Sequence, residues 1–199
     1  TYVSGAEPGA SFGHSNLLHI DGDQGIQIAY LKADLSSVKL DTGMVLDSIK
    51  LFVKSAYGSY SDSENGGIVR KVNDTTWTEE LTWENKPELA ETLGYFGRIE
   101  KDKIYNIHLD TALVPLGQIF AFAIDPTTSD AVEYFSREGE FTPYLMVYYH
   151  QSLPTEIKSW SDSPRITQEG FYKFPAVWSI FDLQGRRLSK LPCSKTGIF

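Results

Sequence analysis

The sequence predicts an all-β chain, an antiparallel β-sandwich or jelly roll with a small C-terminal β-hairpin unit. Apolar and polar residues alternate with period two almost throughout, the spacing of a strand that buries one face. The alternating runs are short, and Gly-, Asp-, Ser- and Pro-rich turns separate them. Helical periodicity is nearly absent: one turn at Thr78–Leu81 and another near Thr111–Val114 are all it offers. Many short strands of this kind bury their apolar faces by stacking sheets.

In chain order the expected strands are Leu17–Ile20, Ile28–Leu35, Ser48–Val53, Ile68–Val72, Ile104–Leu109, Ile119–Ile124, Val132–Phe135 and Tyr144–Tyr149. Turns fall at Asp21-Gly22-Asp23, at Ser59–Gly67 and at Asp125-Pro126-Thr127. The alternation also assigns faces. Ala29, Leu31, Ala33 and Leu35 point inward, leaving Tyr30, Lys32 and Asp34 on the other side. Ile49, Leu51 and Val53 point inward, with Lys50, Phe52 and Lys54 opposite. Leu145, Val147 and Tyr149 point inward, with Tyr144, Met146 and Tyr148 outside.

After Tyr149 the pattern changes. Residues 151–169 are polar, contain Pro154 and Pro164, and read as a linker after a first domain over 1–150. Residues 170–199 read as a separate small unit: a strand at Val177–Asp182, a turn at Leu183-Gln184-Gly185, a return strand at Arg186–Ser189 and the start of another at Gly197. Such a hairpin is marginal alone.

Composition bounds the function. Hydrophobic residues make up 41% and aromatics 13% of 199 residues, enough for a proper core. No apolar run approaches the roughly 20 residues of a membrane span, so a soluble chain without a transmembrane segment is expected. Thr1-Tyr2-Val3 starts in mid-pattern without an initiator Met, so the chain is expected to begin after any targeting segment. Residues 1–150 carry 11 Lys and Arg against 22 Asp and Glu, while 151–199 carry 7 against 4. An acidic main body argues against nucleic acid, and against strongly anionic glycans unless basic side chains cluster. The lone Cys193 has no internal partner and reads as a free thiol.

The most distinctive stretch is Asn73–Pro87, where Trp77 and Trp83 sit among Thr, Glu and Asn before a closing proline. It reads as a loop pinned to a sheet by two large rings, each able to remove about 200 Å² from water. Sugar stacking is the competing reading; packed anchors are preferred.

These residues carry a resemblance. Tyr2-Val3, Ser11-Phe12-Gly13, Ala29–Ser36, Ile49-Lys50-Leu51, Trp77–Pro87, Val132–Glu138 and Pro143-Tyr144-Leu145 fall in the order of the DNRLRE-type, disaggregatase-related β-sandwich module. That family implies a polysaccharide-binding module over most of residues 1–149. A basic residue often found soon after the first Tyr-Val is replaced by Ser4, and the strand at Leu17 leads into Asp21 rather than a lysine. Both departures weigh against an anionic sugar. The tail from Trp178, with Ile180–Leu188 and Lys195–Phe199, resembles the C-terminal sorting domain of the type IX secretion system. That likeness implies export across the outer membrane of a Bacteroidota-type bacterium, followed by release or attachment at the cell surface. The usual basic terminal strand does not follow Phe199, so that strand is expected to be cut off or disordered.

Catalytic readings are weak. Glu79/Glu80 and Glu138/Glu140 are carboxylate pairs, but close neighbours in extended chain do not face each other across a cleft. Ser136 lacks a nucleophile-elbow context. His14, His19, His108 and His150 show no metal-ligand spacing. Asp21 and Asp23 carry oxygens of the kind a structural calcium takes, though a plain turn is preferred and no other cofactor is expected. Arg137 and Glu138 read as an ion pair holding a strand end. Sugar recognition wants flat rings with polar groups beside them. The outward mixed set Tyr30, Lys32, Lys50, Phe52 and Tyr148 is therefore the expected ligand-binding face. The sequence points to a secreted or surface-exposed, non-catalytic polysaccharide-binding module. The alternative is a structural fibre or adhesin subunit that assembles through its strand edges.

Overall fold

A computed structural model describes residues 1–23 and 25–152 in full, and the backbone of 177–182 and 187–188. The strands are β1 (Tyr2–Ser4), β2 (Leu17–Ile20), β3 (Gln27–Asp34), β4 (Met44–Lys54), β5 (Ile68–Val72) and β6 (Leu89–Tyr95). They continue with β7 (Ile104–Leu109), β8 (Ile119–Asp125), β9 (Val132–Phe135), β10 (Tyr144–Gln151), β11 (Val177–Asp182) and β12 (Arg187–Leu188). One five-stranded sheet runs β1-β3-β8-β5-β6 and a second runs β12-β11-β10-β4-β7. The short pair β2-β9 forms its own ladder, tied to β3 by the bridge Asp21↔Gln27 and to the end of β4 by the bridge Ser55↔Tyr134. Every pairing is antiparallel, and the described residues hold no helix. The molecule is a β-sandwich, as the alternation predicts.

The inward faces read from the sequence meet between the sheets. Ala29, Leu31, Ala33 and Phe122 from the first sheet pack with Ile49, Leu51, Leu145 and Val147 from the second in one buried cluster. Leu18, Ile20, Val132 and Tyr134 from β2 and β9 join it. The two places expected to form a helical turn are single tight turns, closed by Leu81 N donating to Thr78 O and Leu113 N donating to Asp110 O.

Two strands are absent from the sequence reading. β1 is only three residues long. β6 lies at a sheet edge with most of its residues part-exposed, so its sequence shows no clean alternation. Its Gly94 is required by packing: a Cβ there would sit 2.7 Å from the carbonyl oxygen of His108 on β7. Beside it Asp110 N donates to Leu93 O, so backbone contact joins the two sheets along this edge.

β11 pairs with β10 along six positions, from Tyr144↔Asp182 to Tyr149↔Val177, and β12 follows on it. The expected linker beyond Ser152, the turn at Leu183–Gly185, the strand expected from Gly197, and Cys193 lie outside the described residues. Among the described residues no helix is long and apolar enough to cross a membrane.

Candidate functional site

The segment from Asn73 to Pro87 lies across the outer face of the first sheet. Its polar residues fold it locally: the Asp74 carboxylate accepts from Thr76 N and Thr76 Oγ1, and Asn85 Oδ1 accepts from Thr82 N. Those two bonds from Thr76 hold the Asp74 carboxyl below the usual carboxylate range. Trp77 then packs onto Val3, Ile28, Tyr30, Val72, Ala121 and Ala123, and only 8% of it stays exposed. Trp83 packs at the margin of this cluster, with the Lys86 ammonium 3.8 Å from its ring centre. Both tryptophans are anchors, as preferred from the sequence.

This cover decides the fate of two expected ligand residues. Tyr30 and Lys32 do point away from the inter-sheet core, but that face is roofed. Tyr30 is 1% exposed, meets Trp77 edge-on at 6.0 Å, and donates its hydroxyl hydrogen to Pro87 O at 3.0 Å. Burial, with the Asp125 charge nearby, pushes its phenol far up from the ordinary value. Lys32 donates to Thr75 O and Trp77 O, and its ammonium lies 4.3 Å from the Trp77 ring centre. A cavity of about 210 Å³ beneath the segment is lined by both residues together with Trp77, Glu79, Ser136 and Arg137. Its cations are already engaged. Arg137 donates to Glu138 at 2.9 Å, as the sequence suggested, and also reaches Glu79 at 3.3 Å.

Lys50, Phe52 and Tyr148 belong to the second sheet, on β4 and β10, so the five expected residues divide between opposite outer faces. Phe52 stacks on Tyr144 at 4.7 Å with the rings 5° from parallel. Lys50 sits 5.5 Å over the Tyr148 ring, and the Tyr148 hydroxyl reaches Met146 Sδ at 2.7 Å. Asp21 accepts from Asp23 N at 2.9 Å in a local turn, and the described residues contain no group of three or more His, Cys, Asp or Glu placed to hold a metal ion.

Among the described residues two of the three most exposed rings lie elsewhere, on the loop that leaves β4, and the third, Tyr95, ends β6. Ser61 is fully buried and donates to Glu133 Oε2 at 3.2 Å, Asp62 accepts from Lys101 N, and Ser63 N donates to Ile99 O. These bonds fix the far side of Tyr57-Gly58-Ser59-Tyr60, whose two tyrosines stand 60% and 66% exposed. A groove of about 490 Å³ opens beside Tyr57, floored by Leu17, Ala56 and Phe135. Tyr57 leans on Phe135 at 5.6 Å, and its hydroxyl donates to Glu140 Oε1 at 3.3 Å. Asn16, Glu133, Glu138 and Glu140 supply the polar rim.

A second groove of about 360 Å³ lies on the other side of Glu133, lined by Tyr60, His19, Asp21, Gln27 and Val132. Glu133 is 8% exposed, bonded to Ser61 and 3.2 Å from His19 Nδ1. Burial pushes the His19 imidazole below its ordinary pKa against the pull of Glu133, so at neutral pH the ring is uncharged. Among the described residues the lining of the two grooves includes no Lys or Arg.

Chemically the arrangement is a recognition surface. Tyrosine rings give broad, rigid apolar contact with a polar tip, and carboxylates and an amide around them accept or donate hydrogen bonds to hydroxyl-rich molecules. Sequence reading missed Tyr57 and Tyr60 because neither belongs to a strand alternation. The available signal was compositional: two tyrosines in a Gly- and Ser-rich loop form the residue mix of a binding loop.

Compared with known families, residues 1–149 match the model of carbohydrate-binding module family 96. No curated protein matches the chain.

Proposed function

The chain belongs to carbohydrate-binding module family 96, and from that premise we propose that it is a non-catalytic polysaccharide-binding module of a secreted or surface-attached bacterial protein, holding its ligand in the groove beside Tyr57. The observation that carries this reading is the exposed Tyr57 ring over a groove of about 490 Å³ with three glutamates and Asn16 on its rim. A pyranose ring lays its C–H face on such a phenol ring and offers its hydroxyls to the carboxylates. The non-catalytic role is supported by the family itself, which is one of binding modules. Affinity at one such site is weak, and repeated units along a polymer supply avidity.

The module is of the DNRLRE type over residues 1–150. Residues 151–169 link it to a type IX sorting domain at 170–199, which carries the protein out of the cell. The support is the motif order, the Ile180–Leu188 pattern, and the change from an acidic body to a tail with more Lys and Arg than Asp and Glu. Pull-down of the chain on insoluble polysaccharides, together with a glycan array, tests the binding reading; blanks on both reject it. Export is checked separately in a type IX-competent host, where removal of residues 170–199 is expected to retain the protein inside the cell. Continued export without that segment rejects the sorting role.

A further inference from the structure

Among the described residues the family module leaves one long strand edge, that of β10, for the chain beyond residue 149 to cover. The other sheet ends within the module are short or tied down. β1 has three residues, and β6 and β7 meet each other, with Asp110 N donating to Leu93 O and Gly94 against the His108 carbonyl. β10 has eight residues, pairs with β4 along its whole length on one side, and buries Tyr144, Leu145 and Val147. Its stretch Tyr144-Leu145-Met146-Val147-Tyr148-Tyr149 has no charge, glycine or proline. Bare on its other side, such a strand is a template for another chain, because about half of its main-chain N–H and C=O groups point outward. β11 comes from outside the module and pairs with that edge at every position from Tyr144↔Asp182 to Tyr149↔Val177. The sheet then ends at β12, two residues long and opening on Arg187. Covering a long uncharged edge, and finishing on a short one with a basic residue, both oppose strand-to-strand association.

We propose that the β10 edge is a strand-accepting interface for a second copy of this chain, paired β10 against β10 about a two-fold axis, and that β11 keeps it closed by occupying it in cis. β11 and a second β10 compete for the same outward N–H and C=O groups, so only one of them pairs at a time. β11 holds the edge in the intact chain because it is tethered. Its connection through residues 153–176 gives it an effective concentration that a free copy does not match. An antiparallel pair of identical strands is isologous, so the contact closes at two copies and does not run on into a filament. Leu145 and Val147 belong to the inter-sheet core, so the pairing joins the second sheets of both copies and sets Met146 and Tyr148 of each beside the other's strand. The interface does not depend on the polysaccharide-binding reading above.

Ile180 stands opposite Met146 in the middle of the β10–β11 ladder, so Ile180→Pro in the whole chain breaks that ladder at its centre. By size exclusion with light scattering, the parent is expected at the mass of one chain and Ile180→Pro at twice that mass, with β10 amides protected from hydrogen exchange in both. Adding Tyr148→Lys to Ile180→Pro is expected to return the mass to one chain, because it places a charge on the bare edge, and to speed β10 amide exchange about ten-fold. In a Cys193→Ser background, a short bismaleimide is expected to cross-link the Met146→Cys/Ile180→Cys variant within one chain. If Ile180→Pro stays at one chain with fast β10 exchange, no copy takes the free edge and the interface is overturned. If it stays at one chain with β10 still protected, β11 is not what covers the edge, which overturns the cap. A dimer that survives Tyr148→Lys overturns pairing through β10, and mass beyond two copies overturns the two-fold arrangement. A parent dimer, or cross-links that form between chains or not at all, overturns cover in cis.

Discussion

Replacing Trp77 separates a structural clasp from a ligand platform. Truncation to Ala removes a ring that is 8% exposed and packed against Val3, Ile28, Tyr30, Val72, Ala121 and Ala123. Loss of a buried aromatic ring of this size costs about 3–5 kcal/mol. The Lys32 contact at 4.3 Å adds a cation–π term of roughly 0.5–2 kcal/mol, already part of that measured range for well-packed rings. Lys32 keeps its bonds to Thr75 O and Trp77 O, because both acceptors are main chain. For a domain near 150 residues the melting temperature is expected to fall by about 8–16 °C. Trp77→Phe is expected to behave differently. The indole Nε1 is buried without a partner among the described residues, so removing that N–H relieves a desolvation cost of about 1–3 kcal/mol. That gain offsets the lost ring area, and the phenyl variant is expected within about 1 kcal/mol of the parent. The assay is urea unfolding followed by far-UV circular dichroism, with polysaccharide affinity measured on the same samples. Trp77→Ala at parental stability but without polysaccharide affinity would refute the clasp and make Trp77 a binding residue.

Three further outcomes follow from the same geometry. Gly66→Ala is expected to cost more than a surface substitution does, because its Cβ would lie 2.5 Å from Ile99 Cγ1 and 2.7 Å from Phe96 Cβ, and would run into the Tyr134 hydroxyl; thermal unfolding reads the loss. Tyr30→Phe is expected to cost about 1 kcal/mol by taking the donor from Pro87 O, measured by urea unfolding. Alkaline titration is expected to unfold the sandwich through its buried phenols. Burial raises the ionisation of Tyr30 and Tyr134 well above the ordinary value and that of Tyr144 to about 12. Raised folded values mean this stability is complete below about pH 10 and is lost as the pH climbs above it, so phenolate absorbance at these sites should rise together with loss of the β-sheet signal. Ionisation of all eleven tyrosines with the sheet signal intact would contradict it.

The strand pattern was legible because most strands bury one face only. Leu17–Ile20, Ile68–Val72, Ile104–Leu109 and Val132–Phe135 have the expected bounds, and the inward sets on β3, β4 and β10 meet in the core. Strand β6 was not legible, since an edge strand that is part-exposed on both sides imposes no alternation. The ligand-binding set was harder for a related reason. Alternation says that Tyr30 points away from the core, but it cannot say that a segment more than forty residues later folds back over that ring. In β3 the burial runs almost unbroken from Ile28 to Leu31, the mark of a strand covered on both faces, whereas its sequence still reads as alternating.

That second cover also bears on where this sandwich can hold a ligand. The outer face of the first sheet is occupied by the Trp77 segment. On the second sheet Phe52 is stacked on Tyr144, and β11 continues the sheet from the β10 edge. The covered face of the first sheet offers a polymer no long flat platform, and on the second Phe52 and Tyr144 pack into a cluster with Phe135 and Phe141. The loops at the strand ends are free of that constraint, and the one leaving β4 is anchored at Ser61, Asp62 and Ser63 while its tyrosines remain outside. Anchoring matters energetically as well as geometrically. A ring presented by a loop that is already ordered loses little freedom when a sugar stacks on it, so more of the contact energy appears as affinity. Loosening the anchor therefore has a distinct signature from removing the ring. Ser61→Ala takes the donor from buried Glu133 and leaves both tyrosines in place. It is expected to weaken binding of the polysaccharide with a larger entropic penalty in calorimetry, whereas Tyr57→Ala removes contact enthalpy. An unchanged entropy of binding in Ser61→Ala would show that the loop owes its order to something other than the Glu133 bond.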